Sequence, residues 1–321
     1  MPTLRADLHV HSRHSRRNGN LPFLKSRDSY SDPFEVYRTA KARGMDLVTI
    51  TDHDSIDGGL EFLARYPDAP DFILAEEVSC RFPNGDIEVH LGVYGITERL
   101  HDEIQALRRN VFDVTAHLRS AGVFFVLNHL LHFYRGQAPL GQYLRLLDEV
   151  LALETRNGTM LPSHNALTAV LAERWGAGGA ADARPLAAIG GSDAHTLRRV
   201  GRTWTEAPGT TREEFLESLQ RGLGRVGGAH GDAWCIAADA YGVIGAYMAS
   251  LVGFGPRDHR AIERTAFLLF SAASIPMQFL PVAIAVAGKL REARVVRGAS
   301  GAVAGWLEER QGVGRRSEVQ A

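Results

Sequence analysis

Cysteine is scarce in this chain. The 321 residues hold two, Cys80 and Cys235, far apart and without CxxC spacing. That excludes a disulfide framework and a thiolate zinc site, and it fits a reducing, cytoplasmic setting. An excess of one charge is lacking too: 36 Lys and Arg against 37 Asp and Glu leave a net charge of −1. No global field therefore draws in nucleic acid or anionic lipid, and phosphate recognition must be local. Met1–Val10 has no basic stretch leading into an apolar run, so a secretory signal is not expected. There is no internal repeat, no low-complexity tract and no dedicated nucleic-acid-binding module. What remains is globular: 45% hydrophobic, 23% charged, mean hydropathy −0.13. The length allows one large core with a small appendage. Histidine is plentiful, with thirteen in all, most of them before residue 200.

The first 210 residues alternate short apolar runs with helical patterns. The runs are Leu4–Val10, Asp46–Thr51, Phe72–Val78, Ile87–Ile96, Val123–Leu127, Val150–Glu154 and Leu186–Gly190. Several are nearly continuous in apolar character, as strands buried on both faces are. Asp32-Pro33-Phe34-Glu35 predicts a capped helix stopped at Gly44; Thr211-Arg212-Glu213-Glu214 predicts another stopped at Gly222. Leu100–Ala121 reads as one long amphipathic helix. Seven strands alternating with helices predict parallel βα units, which a closed barrel and an open doubly wound sheet satisfy equally.

Beyond about Ala229 the character changes. Trp234–Phe254 and Ala266–Gly288 are apolar and predict helices, and the second is free of charged residues over 23 positions. That is long enough to span a bilayer at roughly 20 residues. Pro276 and Pro281 interrupt it, which favours a broken pair of helices packed on the main domain. The expected division is 1–228, a helical apolar extension over 229–312 and a disordered tail over 313–321. Segment 234–288 is the place for any membrane or partner contact.

Metal-ligand residue types cluster where the strands end. Strand one ends in Asp7-Leu8-His9-Val10-His11, whose i, i+2 spacing puts both histidines on one face. The others deliver Thr51-Asp52-His53-Asp54, Glu76-Glu77-Val78-Ser79, Glu88-Val89-His90, Asn128-His129, Glu154-Thr155-Arg156-Asn157 and Ser192-Asp193-Ala194-His195. In parallel α/β architectures such ends share one mouth. Gathering these groups there is costly unless a cation cluster holds them.

These motifs, in this order, resemble the PHP (polymerase and histidinol phosphatase) superfamily of metal-dependent phosphoesterases. The resemblance covers about residues 1–228. It implies a distorted (β/α)7 barrel, to which the C-terminal helical extension is added, and two or three divalent ions, for which the His and carboxylate donors suit Mn, Zn or Fe. Carried over by position, it implies that His9, His11, Glu77 and Asp193 hold one metal. Glu77 would bridge to a second with His90 and His129, while His53 and His195 serve a third site or the substrate side. Two departures stand out: relatives place an acid or histidine shortly after the HxH pair, where this chain has Ser12-Arg13-His14-Ser15, and His129 is followed by Leu130 rather than proline.

The implied chemistry is hydrolysis of a phosphomono- or phosphodiester by metal-activated hydroxide, with Asp52 or His195 protonating the leaving oxygen. The substrate would be a phosphorylated small molecule or nucleotide. Arg135, Arg156 and Arg198, just beyond strand ends, are candidate phosphate clamps, and Asn157 a candidate substrate contact. The basic loop Arg13, Arg16, Arg17, Lys25 and Arg27 is a candidate steering rim. For Asp7, the reading is orientation of an imidazole. The competing readings are a nuclease, a C–N hydrolase of amidohydrolase type, and a non-catalytic binding module. Against the C–N hydrolase, no strand ends in the lysine that a carboxylated metal bridge needs.

Overall fold

A computed structural model describes residues 2–16, 26–83, 87–132, 140–175, 186–254 and 260–318. All seven expected strands are present: β1 (Thr3–Asp7), β2 (Leu47–Ile50), β3 (Phe72–Arg81), β4 (Glu88–Tyr94), β5 (Phe124–Leu127), β6 (Ala152–Asn157) and β7 (Ala187–Gly191). They lie side by side in chain order. A parallel bridge from Val10 to Ala194 brings the first and last together, so the strands form a nearly closed barrel. His11 N donates to Ala194 O at 2.9 Å, and Ala194 N to His9 O at 3.3 Å. Gly191 permits this approach, since a Cβ there would overlap the Cβ of His9.

Two strands were not expected. β8 (Thr203–Pro208) runs antiparallel to β1, and β9 (Arg225–Gly228) antiparallel to β8. Thr205 of β8 hydrogen-bonds both N and O of Gly190, stitching the sheet's two ends below the bridge. The uniformly parallel barrel needs correction as well: β4 is antiparallel to both β3 and β5. Its first residues therefore sit beside the last residues of β3, and Ser79 pairs with His90. That reversal is why a histidine near the start of a strand reaches the same mouth as histidines at the ends of the others.

One buried cluster draws on every barrel strand, including Leu8, Ile73, Tyr94, Phe124, Val126 and Ile189, and fills the barrel beneath the mouth. Helices α1 (Pro33–Ala42), α2 (Asp57–Arg65), α3 (Glu98–Leu107), α4 (Val111–Ser120), α5 (Leu140–Glu149), α6 (Pro162–Trp175) and α7 (Arg212–Gln220) accompany the strands. Asp32 caps α1 by accepting from Phe34 N and Glu35 N, with Pro33 in the first turn, and Thr211 caps α7. The single long helix over Leu100–Ala121 is instead two, because Asn110 accepts from Phe112 N and starts α4 afresh.

The extension is α8 (Ala233–Leu251), α9 (Ala261–Ala273), a 3-10 turn (Ile275–Met277) and α10 (Leu280–Glu318). The charge-free run thus breaks at Pro276 into two helices. Among the described residues α8 alone is long and apolar enough to cross a membrane, by length and composition. α10 continues past Gly312, and its Ala299, Val303 and Leu307 join the core formed by the outer helices of the barrel.

Candidate metal centre

Glu77 is the hub of the mouth. Its carboxylate oxygens lie 3.2 Å from His9 Nε2, 3.5 Å from His11 Nε2, 3.0 Å from His53 Nδ1, 3.1 Å from His90 Nδ1 and 3.0 Å from His129 Nε2. Asp193 completes the set at 3.6 Å from His9 Nε2 and 3.4 Å from His11 Nε2. His9, His11 and Glu77 are fully buried. Despite these short separations, His9 Nε2, both ring nitrogens of His11, His53 Nδ1 and Glu77 Oε2 make no hydrogen bond. Inward-facing lone pairs that approach without bonding are what a cation would satisfy.

The ring orientations are set from behind. His9 Nδ1 meets Glu154 Oε1 at 2.9 Å, His90 Nε2 meets Glu88 Oε1 at 2.8 Å, and His195 Nδ1 meets the Asp193 carbonyl at 3.1 Å. Each partner is an acceptor, so it holds the proton on that nitrogen and leaves the other ring nitrogen's lone pair for the centre. The other Glu154 oxygen accepts from His129 N and from Asn157 Nδ2, both at 2.9 Å.

The backbone bends to reach this arrangement. His129 (φ 25°) and Asp193 (φ 51°) lie in the left-handed region, as does Asp54 (φ 51°) beside His53. Such conformations cost on the order of 1–3 kcal/mol each and persist where the surroundings enforce them.

The electrostatics follow the same pattern. Burial opposes charge on Glu77, but His9, His90 and His53 outweigh it and hold the carboxyl well below its usual range. Burial also opposes charge on Asp193, and His9 with His11 likewise reverses the effect. Burial, reinforced by His195 and His53, pushes His11 well below the usual imidazole value. For His90 burial is overcome by Glu77 and Glu88, which raise it to about 9.

Among the described residues, four groupings have ligand atoms within 4.8 Å of one another: His9, His11 and Asp193; His9, Glu77 and His129; His53, Glu77 and His90; and His11, Asp28, His53 and His195. The last includes a residue that sequence reasoning missed. Asp28 Oδ2 lies 3.8 Å from both His53 Nε2 and His195 Nε2, and Asp28 Oδ1 is buried without a hydrogen bond. Asp28 is the first acid after the HxH pair, but it stands much further along than the expected position. His14, the residue type available nearer by, pairs with Glu61 instead.

Other expectations are corrected. Ser12 N and Oγ engage the two oxygens of Asp52 at 2.5 and 2.6 Å. Burial pushes this carboxyl up to about 7, and it braces the loop after β1 rather than facing the mouth. Asp7 accepts from the backbone N of Ser192 at 2.8 Å and of Gly201 at 2.6 Å, so it clamps backbone, not an imidazole side chain. Arg156 donates to Gly228 O at 2.8 Å and ties β9 to β6 instead of clamping phosphate. Asn157 is buried and binds Glu154, Asp193 and Thr159, which makes it a brace for the ligands. Arg13 pairs with Asp32 and Glu61, and Arg16 with Asp57, so these two supply little unbalanced positive charge. Arg27 donates to the Arg13 carbonyl. Arg198 is exposed, three residues beyond His195. Arg17, Lys25 and Arg135 lie outside the described residues. A groove of about 500 Å³ between α2, α7 and the lower barrel, lined by Leu63, Phe72, Tyr94 and Leu216, has no histidine in its lining and a single carboxylate, Glu213.

Residues 172–223, which include the Ser192-Asp193-Ala194-His195 motif, match the PHP_C family, described as PHP-associated. The matched segment carries Asp193 and His195 of the cluster around Glu77. Among curated proteins, the uncharacterized protein MJ1587 of Methanocaldococcus jannaschii is 41% identical over 58 residues, which is 18% of this chain and 33% of that protein. The chain thus spans about a third of that relative. Among solved structures, one similar chain is a two-domain protein from Bacteroides vulgatus containing a predicted PHP-like metal-dependent phosphoesterase. It has 16% identity and a TM-score of 0.48, and covers 77% of this chain and 69% of that one. Another is PsfC from Pseudomonas syringae, with 19% identity, 76% and 99% coverage and a TM-score of 0.48. A third is an amidohydrolase from Chromobacterium violaceum solved with sulfate and no metal, with 20% identity, 61% and 89% coverage and a TM-score of 0.42.

Proposed function

We propose that this protein is a metal-dependent hydrolase acting on phosphoric esters. The observation that carries the reading is the Glu77 carboxylate within 3.5 Å of five imidazoles, with its Oε2 and the inward nitrogens of His9, His11 and His53 buried and lacking hydrogen bonds. The donor set is all nitrogen and oxygen, which suits Mn, Zn or Fe. His9, His11 and Asp193 would hold one ion; Glu77 would join it to a second with His90 and His129 or His53. His11, Asp28, His53 and His195 would hold a third.

Divalent cations in such a site supply Lewis-acid polarisation of a phosphoryl oxygen and lower the pKa of water toward ~7. The chain's residues do the rest. Glu154 and Glu88 keep the lone pairs of His9 and His90 turned inward, and Asn157 with Thr159 holds Asp193. His195 is the most open of the cluster, at 27% side-chain exposure, and its Nε2 lies 3.8 Å from Asp28 Oδ2. When no third ion takes its Nε2, His195 would hand a proton to a departing alkoxide, the role that the geometry of Asp52 does not support. Arg198, exposed near His195, is the remaining described candidate for a phosphate contact.

The test is hydrolysis of p-nitrophenyl phosphate and its bis-ester, beside a p-nitroanilide, by protein loaded with Mn or Zn. The account expects ester turnover, lost in His9→Ala and Asp193→Ala; anilide turnover without ester turnover would move the chain to C–N hydrolysis.

A further inference from the structure

All but three of the large hydrophobic side chains exposed among the described residues lie between Trp234 and Leu290; the exceptions are Tyr66, Val170 and Leu223. A single soluble surface rarely concentrates apolar groups in this way without a partner. The concentration is greatest at the elbow joining α9 to α10, within the charge-free stretch Ala266–Gly288. Leu269 is 67% exposed, Phe279 64% and Ile284 62%, with Met277, Val286 and Leu290 beside them in sequence.

The charge that follows has one sign. Just beyond the elbow α10 exposes Arg291, Arg294 and Arg297, spaced three apart and so directed to one broad side of the helix. The intervening acid does not oppose them. Glu292 is turned inward, where it accepts from Leu161 N at 2.7 Å and pairs with Lys289 Nζ at 2.6 Å and His164 Nδ1 at 3.2 Å. From Ile284 to Arg297 the helix rises about 20 Å. An apolar tip followed by a basic collar matches an element that enters the acyl boundary by roughly 5–10 Å and keeps its arginines at phosphate level.

We propose that this elbow docks the protein onto an anionic phospholipid bilayer, with Arg291, Arg294 and Arg297 against the headgroups. A second copy of the chain suits the surface less well. A two-fold interface pairs a patch with itself, and here it would bring two arginine collars together. The extension is also joined to the mouth loops. On α8, Asp239 accepts from Thr196 Oγ1 at 2.8 Å and pairs with Arg199 at 3.4 Å, while Lys289 of α10 donates to Thr159 O. Docking would hold the His195 and Thr159 loops close to the lipid. The proposal stands independently of what the metal centre hydrolyses.

The experiment is co-sedimentation of the full chain with phosphatidylcholine vesicles, with and without phosphatidylglycerol. Binding is expected with phosphatidylglycerol and not with phosphatidylcholine alone, and it should weaken as salt rises. Replacing Arg291, Arg294 and Arg297 together with Gln should weaken it roughly a hundredfold. Phe279→Asp with Ile284→Asp should abolish it while circular dichroism stays unchanged, because both side chains are exposed. Failure to bind either vesicle overturns the proposal. So does equal binding by these variants, or a dimer by light scattering that the Asp substitutions dissolve.

Discussion

Nδ1 of His9 meets Oε1 of Glu154 at 2.9 Å, while Nε2 of the same ring faces Glu77 and Asp193. One carboxylate behind the cluster therefore fixes which nitrogen of His9 is available. Through its other oxygen it also fixes the strained backbone of His129.

Replacing Glu154 with Gln puts an amide donor where one of these bonds needs an acceptor. Metal affinity should fall about 10–100-fold, the usual effect of losing such a support, with circular dichroism unchanged. Competition against a chromophoric chelator measures it, and wild-type affinity in the variant would contradict the role given to Glu154.

Asp28 and His14 make a paired comparison. Asp28 Oδ2 lies 3.8 Å from two imidazoles of the cluster, whereas His14 is held by Glu61. Asp28→Ala should lower the metal content of the loaded protein by about one ion per chain, and His14→Ala should leave it unchanged. Elemental analysis reads both; the reverse pattern would give the third site to His14 in place of Asp28.

Asp52 and His195 should separate stability from turnover. Asp52→Ala leaves two donors of buried Ser12 without their acceptor and should cost about 1–3 kcal/mol in urea unfolding, with turnover per folded molecule kept within a few-fold. His195→Ala should lower kcat by about 10²–10⁴ and leave stability nearly unchanged.

Glu292 sets a pH dependence for the attachment of α10. Burial raises its pKa, but His164, Lys289 and the amide of Leu161 more than offset this and hold it at about 2. A depressed acid stabilises the folded state above its unfolded value of 4.5. That contribution is lost as pH falls from there through about 2. It amounts to about 3 kcal/mol. The stability difference between wild type and Glu292→Gln should be full near neutrality and vanish toward pH 2. Chemical denaturation across that range measures it, and a difference independent of pH would remove the ion pair from the account.

Much of this was legible in the sequence. The seven barrel strands announce themselves as apolar runs, and the motif histidines end where β-strand alternation sends them. The reversal of β4 was not legible from periodicity, because an alternation of two reads the same in both directions. A signal was present in Asn84-Gly85, a strong turn pair between β3 and β4, and Phe82 N does donate to Ile87 O. Asp28 escaped because its closeness to His53 and His195 is made by tertiary folding of the loop after β1, not by spacing. Asp52, Arg156 and Asn157 were misread for a related reason. A strand end brings polar residues to the mouth region, but only the hydrogen bonds show which are spent on backbone and neighbours.

The central claim is that Glu77 gathers cations through the histidines around it. Its most direct test is metal content by elemental analysis of the purified full chain after Mn or Zn loading and desalting, in wild type and in Glu77→Gln. The account predicts two or three ions per chain in wild type and at most one in the variant, with ester hydrolysis lost in parallel. A wild-type protein that stays free of metal after loading, or a variant that keeps its full complement, would contradict it.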